Sequence, residues 1–204
     1  TAKYNPGLMA DLVHFTYYIL YNENDPTSRF SWAYQLVCNC LWQSRSTSIN
    51  THHLVTLVQE EAQKTFSDYD KYGVSFSQNS VAGIINWLEA LNPSCIVQTS
   101  SGDRIFTRRN YCSSELLLLA LEYIRVRNSD TSGIQLRLSN DVRQAIARLC
   151  LVEEECLDDL FQSTAEVFDL ILRQTERGNW ISLLGDRSPF PLGAWFSPSV
   201  IEPI

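Results

Sequence analysis

The stretch that decides the fold reads Ser77-Gln-Asn-Ser-Val-Ala-Gly-Ile-Ile-Asn-Trp-Leu-Glu-Ala-Leu91, Asn92-Pro93, Cys95-Ile-Val-Gln-Thr99, Ser100-Ser-Gly-Asp103, Arg104-Ile-Phe-Thr-Arg108. Val81, Ile84, Ile85, Leu88 and Leu91 recur at helical spacing and form one continuous apolar face. Ser77 or Asn79 can cap this helix. Asn92-Pro93 stops it, because a residue before proline is pushed out of the helical region. Two runs containing β-branched residues then flank a short tip with Gly102, which predicts a hairpin.

Upstream of this stretch, helical spacing recurs over 8–21, over 31–43 (Trp32, Leu36, Val37, Cys40, Leu41), and from a cap at Asn50 or Thr51 to about Phe66. Residues 67–76, with Gly73, read as a loop. Three helices followed by a hairpin is the element order of a winged helix, placed here over 31–112. Downstream, Ser113 or Ser114 caps a helix over 115–127, residues 134–138 alternate like a short strand, and Ser139 caps 140–151. A further helix starts in the acid block Glu153-Glu-Glu155, where negative charge suits a helix N-terminus. It carries Leu157, Leu160, Phe161, Phe168 and Ile171 and is expected to end near Gly178. The fold class is therefore mainly α: a winged-helix-like unit of three helices plus β-hairpin, then a second helical unit over 113–184 that repeats the order less clearly. An N-terminal helix fills 1–30. A Pro-containing tail over 185–204 is expected to pack through Trp180, Trp195 and Phe196.

The chain has 204 residues, 45% of them hydrophobic, enough for one large core or two small ones. No apolar run approaches membrane-spanning length, so no membrane partner is expected. Six cysteines form no CxxC pair, and no histidine stands at a finger-like spacing, so neither metal nor cofactor is expected. Cys38, Cys150 and Cys156 fall in apolar helical patterns and read as small buried hydrophobes. Free buried thiols and the lack of a secretory leader suit a cytoplasmic location. The net charge of −7 repels phosphate overall. The charge is uneven, however. Residues 95–150 hold 8 basic against 5 acidic side chains, while 151–176 hold 1 against 8. An anion would therefore be met in the first of these segments.

That island contains the predicted wing. In a helix-turn-helix reader the third helix enters the major groove with its N-terminal residues leading. Here those are Gln78, Asn79 and Ser80, which can hydrogen-bond phosphates or base edges. Arg104, Arg108 and Arg109 would hold phosphate from the wing. Alternation places Arg104, Phe106 and Arg108 on one face, which would bring Phe106 to the surface or an edge. The same residues have plain structural uses: Ser and Asn cap helices, and edge arginines discourage strand-to-strand association. The expected partner is double-stranded DNA, with a protein partner or a second copy supplying the affinity that few cations cannot. The rival is a protein–protein adaptor docking through the acidic helix 153–169 and the aromatic tail. No nucleophile elbow, phosphate loop or zinc-protease motif occurs. His14 reads as a core residue, His52 and His53 diverge on a helix start, and Asp158 and Asp159 point to different helix sectors, so no catalytic residue is assigned.

Several segments in order carry a family resemblance: His14-Phe-Thr-Tyr-Tyr-Ile-Leu, Phe30-Ser-Trp-Ala-Tyr, the Leu-rich helix at 54–62, Ser77-Gln-Asn-Ser-Val-Ala-Gly-Ile-Ile-Asn-Trp-Leu, Ser114-Glu-Leu-Leu-Leu-Leu-Ala-Leu-Glu-Tyr and the acidic helix. Over roughly 8–176 the chain resembles the C-terminal part of a prokaryotic domain-of-unknown-function family from phage-defence and DNA-sulfur-modification gene neighbourhoods. The resemblance lies in pattern and order. It implies DNA-associated, antiviral work in a complex and brings no catalytic residues with it.

Overall fold

Apolar periodicity becomes seven α-helices and five short strands in the computed structural model, which describes residues 6–44, 48–66, 76–127, 135–168, 170–175 and 178–183. The helices are α1 (Pro6–Ile19), α2 (Arg29–Gln43), α3 (Thr51–Thr65), α4 (Gln78–Glu89), α5 (Ser114–Arg127), α6 (Asn140–Cys150) and α7 (Leu157–Val167). The strands are β1 (Ile96–Gln98), β2 (Arg104–Phe106), β3 (Gln135–Arg137), β4 (Leu170–Thr175) and β5 (Gly178–Leu183). The chain is thus mainly helical with small antiparallel sheets. It divides into two compact units: a middle unit, residues 16–108, and a split unit, residues 1–15 with 109–204. The expected N-terminal segment 1–30 does not stand apart, because the division falls inside α1. No helix among the described residues is long and apolar enough to cross a membrane.

In the middle unit, α2, α3 and α4 pack on one another around Tyr34, Val37, Cys38, Val58, Val81, Ile84 and Leu88, all fully buried. Asn50 caps α3 by accepting from the His53 amide, and Ser77 caps α4 by accepting from Ser80. Both caps satisfy amides that the first helical turn leaves without partners. Trp32 lies edge-on to Phe66 at 4.9 Å, and Tyr17 meets Phe30, Tyr34 and Trp87. The hairpin pairs Ile96 with Phe106, Val97 with Ile105 and Gln98 with Arg104. Gly102, at φ +89, makes the tip turn, a conformation that a side chain would strain. Ser48 adds a bridge to Ile105, and the Ile49 amide donates to the Arg104 carbonyl at 2.7 Å. The strand order is thus Ser48, β2, β1. Phe106 does not reach the surface: it is 2% exposed, because its side of β2 faces the helices. The loop expected at 67–76 lies outside the described residues except for Phe76, which is buried.

In the split unit, Leu116 to Ile124 of α5 are buried on every side, as expected of a helix surrounded by protein. The Leu116 amide donates to Ser113, and the Val142 amide to Ser139, so these serines begin α5 and α6. Leu151, in the left-handed region at φ 54, ends α6, its amide donating to Ala147 and Arg148. The acid block makes one 3-10 turn, Glu154–Cys156, before α7. Here the sequence expectation is corrected. α7 ends at Val167, Phe168 is extended, and 170–175 pairs antiparallel with 178–183 in place of a helix running to Gly178. Trp180 lies on β5, while Trp195 and Phe196 fall outside the described residues. The sheet order is β3-β5-β4, antiparallel throughout.

Candidate nucleic-acid interface

α4 presents Gln78 and Asn79 exposed at its start. Ser80 is half-buried and turned to local use, its amide donating to Ser77 and its hydroxyl 3.2 Å from the Ser77 hydroxyl. Farther along the same helix Asn86, Trp87 and Glu89 are exposed and Ala82 and Gly83 half-buried, so the charge among them is Glu89's and is negative. A side chain at Gly83 would meet open space.

The three arginines expected to accompany this face do not converge on it. Arg104 pairs with Glu89 and donates to Asn86 at 3.3 Å. Both partners lie in the C-terminal half of α4, about 12–17 Å along the helix axis from Gln78. Arg108 lays its guanidinium over the Trp42 ring, 3.6 Å from the centroid, and donates to the Trp42 carbonyl at 3.2 Å. This stacking holds the cation against the unit. Arg109 belongs to the split unit and is 1% exposed. It donates to Asp11 at 2.7 Å and to the Cys150 carbonyl at 2.7 Å. Its expected role at phosphate is therefore replaced by a structural one: a charge this deep is held by the partners that neutralise it.

Asp11 also accepts from the Ser113 amide at 2.8 Å, so it ties α1 to the start of α5 as well as to Arg109. His14, one turn on, donates from Nε2 to the Leu149 carbonyl at 2.7 Å. Burial, aided by the nearby Arg109 charge, lowers its pKa to about 4. It is a satisfied core histidine. The sequence gives no sign that Arg109 is buried, and for Asp11 the available signal is an acid standing within an apolar helix.

Among the described residues, no group of three or more His, Cys, Asp or Glu side chains could hold a metal ion. His52 and His53 are exposed on α3. All six thiols are free. Burial raises the pKa of Cys38 and Cys150, which keeps them protonated and unreactive. Cys156 is half-buried rather than enclosed, and burial together with the surrounding acids raises its pKa too. At the start of α7, Glu155, Asp158 and Asp159 are exposed, with Asp158 accepting from Arg143 at 2.8 Å. Compared with family models, curated proteins and solved structures, the chain matches none.

Proposed function

We propose that this chain is a non-enzymatic subunit of two winged-helix-like units that engages nucleic acid within a larger complex. The observation that carries this reading is one arrangement met twice. Each unit runs helix, strand or bridge, two helices, then two strands, and its first strand pairs with its third. In the middle unit the third helix of that order leads with the exposed Gln78 and Asn79, the side chains able to read an adenine edge.

Arg104 and Arg108 are engaged within the unit, so duplex affinity from this face is low. It is tested with the full chain and a fluorescent DNA duplex at low salt, read by anisotropy. Binding is expected to weaken when Gln78 and Asn79 are both changed to alanine, while Arg109→Lys leaves it unchanged. No binding at low ionic strength would end the reading. An association with phage defence rests on the sequence resemblance alone.

A second reading, the protein adaptor, is favoured by one feature. α7 holds in the split unit the place that α4 holds in the middle unit, yet it opens with Asp158 and Asp159 behind Glu153–Glu155. That end repels phosphate and suits a basic protein surface. Asp158→Lys with Asp159→Lys would abolish such docking without touching DNA binding.

A further inference from the structure

The three-stranded sheet of the split unit carries a surface that the sequence pattern does not reveal. Its ladder sets Arg137, Trp180 and Arg173 directly opposite one another, one on each strand. The alternate row, Leu136, Ile181 and Leu172, faces the core: Leu136 and Ile181 are buried, and Leu172 is partly uncovered on edge strand β4. The Arg–Trp–Arg row therefore lies on the outer face, together with Gln135, Ser182 and Ile171. Among the described arginines, Arg137 and Arg173 alone are exposed, and Trp180 between them is half-buried. Neither arginine has an acidic partner among the described residues. With neighbouring strands about 4.8 Å apart, the two arginines stand about 10 Å from each other across the indole.

We infer that this row binds single-stranded nucleic acid, one base stacking on Trp180 and its flanking phosphates meeting Arg137 and Arg173. The inference deepens the nucleic-acid reading above and rests on it for the class of ligand. Charge complementarity selects an anion. The aromatic side chain between the cations selects one with a flat face, and base–aromatic stacking is the general device for strands without a partner. A duplex hides those faces. An acidic peptide would use the cations, but it would need apolar anchor pockets, and the outer neighbours here are Gln135 and Ser182, with Ile171 the one aliphatic group among the described residues.

The test uses the full chain, a fluorescein-labelled oligothymidine, a duplex of mixed sequence and polyglutamate, all read by anisotropy. Trp180→Ala is expected to weaken oligothymidine binding about 5- to 150-fold. Trp180→Phe is expected to retain most of it. Arg137→Glu with Arg173→Glu is expected to abolish it, and the Lys pair to keep part. Far-UV circular dichroism and a melting curve show that each variant is folded. If the sheet variants leave oligothymidine binding unchanged, the inference falls. It also falls if Trp180→Ala is neutral while polyglutamate and oligothymidine weaken alike with the arginines, because the row is then a site for acidic protein. If the Glu variants aggregate with no loss of oligothymidine binding, the arginines only guard the sheet edges. Loss of duplex binding in the Gln78 and Asn79 variant, with oligothymidine binding intact, separates the two sites. Oligothymidine binding without any duplex binding sinks the α4 reading and supports this one.

Discussion

Arg109 and Asp11 form an ion pair closed off from water, so removing one partner strands the other. Arg109→Ala is expected to cost about 3–5 kcal/mol, measured as a lowered urea midpoint with unchanged slope. Replacing both with apolar residues of similar volume should recover much of that loss. His14 gives a pH dependence of definite sign. Its folded pKa is lowered to about 4, while the unfolded chain takes up the proton near 6.5. Its contribution is therefore complete above about pH 6.5 and fades as pH falls towards 4, by up to about 3 kcal/mol. Stability curves at pH 7 and 4.5 would show this, and His14→Gln should flatten the slope. The sequence made His14 legible as a core residue, since it sits among apolar neighbours on one helix. It could not show the fate of Arg109, whose partner is 98 positions away.

Elements whose causes are local were legible. α3, α4 and α6 begin one residue beyond serines or asparagines that the sequence marks as caps, and their amides are satisfied there. Ser139→Ala is expected to cost about 1 kcal/mol by thermal or urea unfolding. The β1–β2 hairpin was legible through its tip, and Gly102→Ala should cost about 1 kcal/mol by the same measurement, because the turn needs a positive φ. The β4–β5 pairing was not legible. Phe168 and Ile171 continue the apolar spacing of α7, so periodicity alone extends the helix. What stops it is the pairing of β4 with β5, whose other edge pairs with the distant β3, a non-local interaction. Gly178-Asn179 between two apolar runs was the available hint. The candidate site shared this limit: Gln78 and Asn79 follow from a local cap, whereas the Arg137–Trp180–Arg173 row exists only once three strands are in register.

For the whole molecule, a net charge of −7 limits what any anion-binding face can deliver. Two exposed arginines neutralise about two phosphates, so the plot of log K against log salt for a single strand should have a slope near −1.4. A slope several times steeper would mean that cations other than Arg137 and Arg173 hold the strand. The division into two units was hidden from the sequence, because α1 looks like one uniform apolar helix. Its early residues, through Asp11 and His14, serve one core, while Tyr17 and Tyr18 serve the other.

That division has a consequence during synthesis. The middle unit is one continuous stretch of chain and has all its parts once Arg108 has emerged from the ribosome. Asp11 must wait for Arg109, which at about 5–20 residues per second arrives about 5–20 s later. For that interval the leading half of the first helix has no counter-charge and no apolar cover from its own unit. A nascent-chain pause placed just before residue 109 would leave that half helix as a target for chaperones.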